Sequence, residues 1–100
     1  MLEVRDIVQK VRSKNAGPFW LTVDIFCGSE DAFEKTRAGL HSSAVAKAFD
    51  MPEQLVKRFD IADLYVIKFS VPRPDVQGTR SDRDMHGAAA ANLIAELEIE

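Results

Sequence analysis

Residues 19–27 constrain the fold of this chain more than any other segment. The run is rich in aromatic and β-branched residues, which suit a pleated, half-buried surface, and it predicts a strand. Side chains alternate across a strand, so Phe19, Leu21, Val23, Ile25 and Cys27 share one face and Trp20, Thr22, Asp24 and Phe26 the other. The first face is wholly apolar and predicts core. The second is mixed, and Asp24 on it either meets solvent at an edge or has a paired partner. A strand with one greasy face needs a second layer. The flanking segments supply helices, so the expected class is α+β.

Upstream, Val4, Ile7, Val8 and Val11 fall on one stripe of a helix, predicted over about residues 3–13. Gly17 and Pro18 end it in a turn. Downstream, Ser29 reads as an N-cap with Glu30 and Asp31 in the first turn, and Gly39 marks the stop. A second short helix follows over about residues 42–49. Asp50 and Glu53 resemble a capping box and open a third, to about residue 59, with Leu55, Val56 and Phe59 facing inward. Residues 62–71 form the second convincing strand, closed by Pro72-Arg73-Pro74. A long polar stretch runs to about Gly87. Residues 88–92 suit a turn of helix, and residues 93–99 fit either a last strand or a helix. The expectation is one domain over residues 1–100. It has a small, mostly antiparallel sheet of about three strands, with three to four short helices packed on one face. Three helical patterns between the strands also permit a parallel crossover.

With 46% hydrophobic and 29% charged residues, 100 residues make one globular domain and not a disordered chain. A core this small gains from a partner subunit. The net charge of −3 argues against nucleic acid as a partner. No apolar run approaches the ~20 residues of a membrane span. The N-terminus has the mixed charge of no signal peptide, and a single cysteine forms neither an internal disulfide nor a multi-cysteine zinc site. These features together lead to the expectation of a cytoplasmic protein that binds neither membrane nor nucleic acid.

Three groups of residues carry chemistry. Arg12, Lys14 and Asn15 bring two cations and an amide to the end of the predicted helix. They either hold a carboxylate or phosphate, or complement a helix dipole ahead of an ordinary turn. Asp82, Asp84 and His86 recur at every second residue. They suggest an acid/base pair or a metal site, but interleaved Arg80 and Arg83 favour a solvated loop, and no metal is assigned. Arg73, stiffened between prolines, either presents its guanidinium or bridges to Asp24 or Asp84. Cys27 reads as a buried, inert thiol, His41 as exposed, and Trp20 as core or interface anchor.

The run from Arg12 to Phe19, followed by Leu21-Thr22 and Asp24-Ile25, resembles the opening of a short bacterial family of unknown function. Members lie beside, or fused to the C-terminus of, large AtuA-like acyclic terpene utilisation proteins. Val71-Pro72-Arg73-Pro74, Asp84-Met85-His86-Gly87-Ala88 and Leu97-Glu98-Ile99 extend the resemblance over nearly the whole chain. Where members often carry Tyr-Gly-Ala-Gln, this chain has His86-Gly87-Ala88-Ala89. The resemblance implies the small subunit of a two-component catabolic enzyme. The expected reaction is that of a hydro-lyase or isomerase acting on an unsaturated or hydroxylated carboxylate or its thioester. The implied partners are a large AtuA-like subunit and an anionic small molecule. No cofactor is specified. On this reading Arg12, Lys14, Asn15 and Arg73 bind the substrate anion, and Asp84 and His86 are the catalytic candidates. The rival is a non-catalytic interaction or stabilising protein, possible as a homo-oligomer.

Overall fold

The computed structural model describes residues 2–72 and 87–99. In chain order the elements are β1 (Leu2–Glu3), α1 (Val4–Ile7), β2 (Lys10–Asn15), β3 (Trp20–Phe26), α2 (Glu30–Gly39), α3 (Ser42–Ala48), β4 (Lys57–Ile61), β5 (Val66–Pro72), α4 (Gly87–Ala95) and β6 (Glu98–Ile99). Short 3₁₀ turns at Glu53–Leu55 and Ala62–Leu64 flank β4. The main sheet has the order β2-β3-β5-β4 and is antiparallel throughout, which settles against the parallel crossover. A second, two-stranded sheet pairs β1 with β6, Leu2 opposite Ile99, and clasps the two ends of the described chain.

The apolar face of β3 is core as expected: Leu21, Val23 and Ile25 are sealed from solvent, and Ile67, Phe69 and Val71 of β5 continue the face beside them. Helical residues Phe33, Val45, Ala90 and Ile94 complete this core. Helices therefore cover one side of the main sheet and leave the other open. α4 packs against β2 and β3, and α2 against β5. Ser29 caps α2, its hydroxyl accepting from the Ala32 amide at 3.2 Å. Among the described residues no helix is long and apolar enough to cross a membrane.

Four local expectations need correction. The helix over residues 3–13 is a single turn, Val4–Ile7, after which the chain becomes β2. Val4 and Val8 do reach the core, but Val8 is already extended (φ −96°, ψ 164°). One turn gains little from its own hydrogen bonds, whereas residues 10–15 gain a full ladder with β3, so tertiary pairing overrides the helical stripe. The third helix shrinks to Glu53–Leu55 and then β4 for the same reason. Of its inward trio, Val56 packs on the core but Leu55 and Phe59 are exposed. Phe19 is not core. It sits in the turn before β3, where Gly17 adopts φ +82°, and the residue is 61% exposed. The second strand begins at Val66, after a 3₁₀ turn that ends with Tyr65 in the left-handed region. At the C-terminal end, residues 87–95 are helix and only Glu98–Ile99 is strand.

Candidate functional site: the open sheet face

Cross-strand register assigns the open face residue by residue, because directly paired residues in an antiparallel sheet point the same way. Lys14, Thr22, Ser70 and Lys57 form one row across the four strands. Arg12, Asp24, Lys68 and Phe59 form the next, and Lys10, Phe26, Val66 and Ile61 the third. Trp20, paired with Pro72, lies beyond the first row. Alternation along β2 thus turns Lys10, Arg12 and Lys14 outward together.

The face concentrates positive charge. Half of the described lysines and arginines stand on it, against Asp24 as its one described acid. Two of the cations are engaged by aromatic rings: Lys10 Nζ lies 5.1 Å from the Phe26 centroid and Lys57 Nζ 5.1 Å from that of Trp20. Arg12, Lys14 and Lys68 form no ion pair among the described residues, although Arg12 and Lys68 flank Asp24 in its own row. Asp24 Oδ1 is covered yet has no hydrogen-bond partner, and the same holds for the hydroxyl of Thr22, a residue only 7% exposed. Arg12, Ser13, Lys14, Asp24 and Phe26 line a half-open depression of about 320 Å³. The arrangement puts Arg12 and Lys14 on the lining of the depression together with Asp24, whose Oδ1 is unsatisfied. That is the chemistry of a site for an anion that also carries a hydrogen-bond donor.

Of the residues that the sequence groups as an anion site, the structure brings two together. Arg12 and Lys14 stand together over the depression, on a strand instead of a helix end. Asn15 pairs with Leu21, so register puts it on the helix-covered side, exposed at the end of β2. Arg73, Asp84 and His86 lie outside the described residues, as does the Asp82 position. Lys10, Thr22, Phe26, Lys57 and Lys68 were not singled out for chemistry in the sequence. The signal present was the period-two row of cations at residues 10, 12 and 14, which a helical reading scatters around an axis.

The other candidates are quiet. Cys27 is buried, its thiol donating weakly to the Ile25 carbonyl at 3.9 Å. Burial pushes the Cys27 pKa up, with Thr36 pulling more weakly the other way, so the thiolate is disfavoured. His41 is exposed ahead of α3, and Trp20 is 38% exposed and so is not a core residue. Among the described residues no three metal-ligating side chains gather.

Comparison with curated proteins and with solved structures yields no match. A family model does match, over residues 4–98, and covers both the sheet and the helices behind it. The chain belongs to the family described as a domain of unknown function, DUF4387.

Proposed function

We propose that the chain is the small subunit of a two-component catabolic enzyme and contributes an anion-binding sheet face to a site shared with a large AtuA-like partner. The reaction class is that of a hydro-lyase or isomerase acting on an unsaturated or hydroxylated carboxylate or its thioester, in the bacterial cytoplasm. The observation that supports this reading is a pair of cations, Arg12 and Lys14, that form no ion pair among the described residues and line the depression that contains Asp24. A guanidinium grips a carboxylate through two parallel hydrogen bonds, and the neighbouring ammonium adds charge without fixed geometry.

Affinity isolation of the tagged chain from its native cells, followed by mass spectrometry, tests the pairing. The expected result is one large terpene-utilisation-type protein at near-equal stoichiometry. In the reconstituted complex, Arg12→Ala abolishes turnover while circular dichroism shows an intact fold. Recovery of the chain alone, or full activity in the variant, overturns the proposal.

A second reading has its own support. Leu55, Phe59 and Leu64 are 42%, 49% and 67% exposed around β4, which is an edge of the main sheet. Unpaired strand edges with apolar flanks favour strand addition. A non-catalytic homo-oligomer would use that edge, and sedimentation analysis of the isolated chain separates the two cases.

A further inference from the structure

We infer that the open sheet face binds a nucleoside polyphosphate, either free or as the handle of an acyl thioester. The inference uses the same face as the reading above but does not depend on the large partner.

Charge spacing is the first argument. One carboxylate is satisfied by one guanidinium. Here three cations form no ion pair among the described residues, two on β2 and one on β5. Arg12 and Lys14 are two residues apart on β2, about 7 Å, and Lys68 is two strand spacings from Arg12, roughly 10 Å. A ligand that uses all of them carries several anionic groups spaced along its length. The flexible side chains of Lys14 and Lys68 suit phosphate oxygens, which lysine meets as a point charge.

Unsatisfied oxygens on the same sheet face supply the second argument. Thr22 is more than nine-tenths buried, and its hydroxyl has no partner. Asp24 Oδ1 beside it accepts no hydrogen bond. A purely anionic ligand would leave that carboxylate oxygen unsatisfied and would be repelled by it. A ligand with hydroxyl or amine donors satisfies it, as ribose hydroxyls satisfy carboxylates in dinucleotide sites. The third argument is an exposed aromatic on the same face. Trp20 keeps 38% of its surface exposed, and a planar base that displaces the Lys57 ammonium from over its ring finds a stacking surface there. Phosphates, hydroxyl donors and a planar ring on one molecule define a nucleotide.

Trp20 is the single tryptophan of the chain and so reports directly on this face. ADP is titrated into the full-length protein at low salt while Trp20 emission is followed. The expected result is a saturable change that weakens as salt rises, with AMP binding less tightly than ADP and adenosine less again. Arg12→Gln, Lys14→Gln and Lys68→Gln each weaken ADP by about tenfold, the usual loss for one charge-assisted contact. Thermal melts confirm that each variant folds. Should one fail to fold, the remaining two carry the test.

An adenosine affinity equal to that of ADP overturns the inference, as does binding unchanged in all three folded variants. Acetate or a dicarboxylate that competes with ADP on equal terms also overturns it, and returns the face to simple carboxylate binding. Single-stranded oligonucleotides that bind a hundredfold more tightly than ADP assign the face to nucleic acid instead. Coenzyme A binding tighter than ADP identifies the thioester handle as the source, and equal affinity identifies the free nucleotide. ADP binding without recovery of a large partner removes the two-subunit reading and leaves this inference standing. Partner recovery with no ADP binding does the reverse.

Discussion

Replacing Arg58 by alanine tests how the edge of the sheet is joined to the helical layer. Arg58 projects from β4 toward the helices, and its side chain is only 19% exposed. Its Nη1 donates to the Leu40 carbonyl at 2.6 Å, its Nη2 to the Arg37 carbonyl at 2.8 Å and its Nε to Asp60 Oδ1 at 2.8 Å. The guanidinium also lies 5.7 Å from the Phe69 ring centroid. The two carbonyls belong to the C-terminal end of α2, where helical oxygens lack intrahelical donors and carry the negative end of the dipole. One planar group therefore ties a helix end, an edge strand and a core aromatic together.

The magnitude follows from how much water each contact would regain. The Leu40 contact is part-buried, and losing a charge-assisted bond there costs about 1.5 kcal/mol. The exposed Arg37 contact and the Asp60 pair are worth about 0.5 kcal/mol each. Loss of the stem and of the guanidinium over Phe69 adds about 0.5 kcal/mol. The total, about 3 kcal/mol, corresponds to a fall in Tm of roughly 12–24 °C for a domain of this size. Urea unfolding followed by both circular dichroism and Trp20 fluorescence measures it, with an unchanged slope if the denatured state is unaffected. Arg58→Lys recovers less than half, because an ammonium cannot fork to two carbonyls and a carboxylate. A loss below about 1 kcal/mol in the alanine variant, or full recovery by lysine, refutes the account.

Three further outcomes follow from particular contacts. Ser29→Ala removes the cap on the Ala32 amide and lowers stability by about 1 kcal/mol in urea unfolding, whereas Ser29→Asp retains it. Gly28 adopts φ +87°, and a Cβ there would stand 3.1 Å from the Gln9 Cβ, so Gly28→Ala costs about 1–2 kcal/mol by the same assay. Cys27 has a raised pKa in the folded state, so folding holds the thiol proton more tightly than the unfolded chain does. Its stabilisation is complete below the unfolded pKa of about 8.5 and declines as pH climbs from there through the folded value. Native protein therefore reacts slowly with a thiol reagent at pH 8, and Cys27→Ala flattens the alkaline fall in Tm.

The elements legible in the sequence are those whose local and tertiary preferences agree. β3 has a continuous apolar face, α2 has the Ser29 cap, and α3 sits between turn residues; all three lie close to where the pattern puts them. β2 and β4 were hidden by a shared ambiguity. Val8 and Val11 fit a helical stripe begun at Val4, and Val56 with Phe59 fits another, yet Lys57, Phe59 and Ile61 alternate equally well as a strand. What decides is the hydrogen-bonding capacity of β3 and β5, whose outer edges would otherwise stay unpaired beside a buried core. Short strands at sheet edges are therefore the elements that local pattern resolves least. The site was obscured with them. Arg12 and Lys14 were legible as cations near a turn, but their company across the sheet exists only once β2 pairs.

Net charge concealed the same face. The sum of −3 argues against an anionic partner only when charges are mixed evenly, and here they are segregated. Half of the described cations stand on the open face with Asp24, which leaves the rest of the described surface rich in acids, Glu30, Asp31 and Glu34 of α2 among them. The screening length in physiological salt is about 8 Å, shorter than the spacing from β2 to β4 across the sheet. A ligand near Arg12 and Lys14 therefore responds to the local cations and hardly to the acids behind the helices. The same segregation orients the molecule toward any larger anionic surface, with the sheet face inward and α2 turned away. An acidic chain can thus act as a cationic surface, provided that a strand register, invisible in its composition, brings the lysines and arginines to one side.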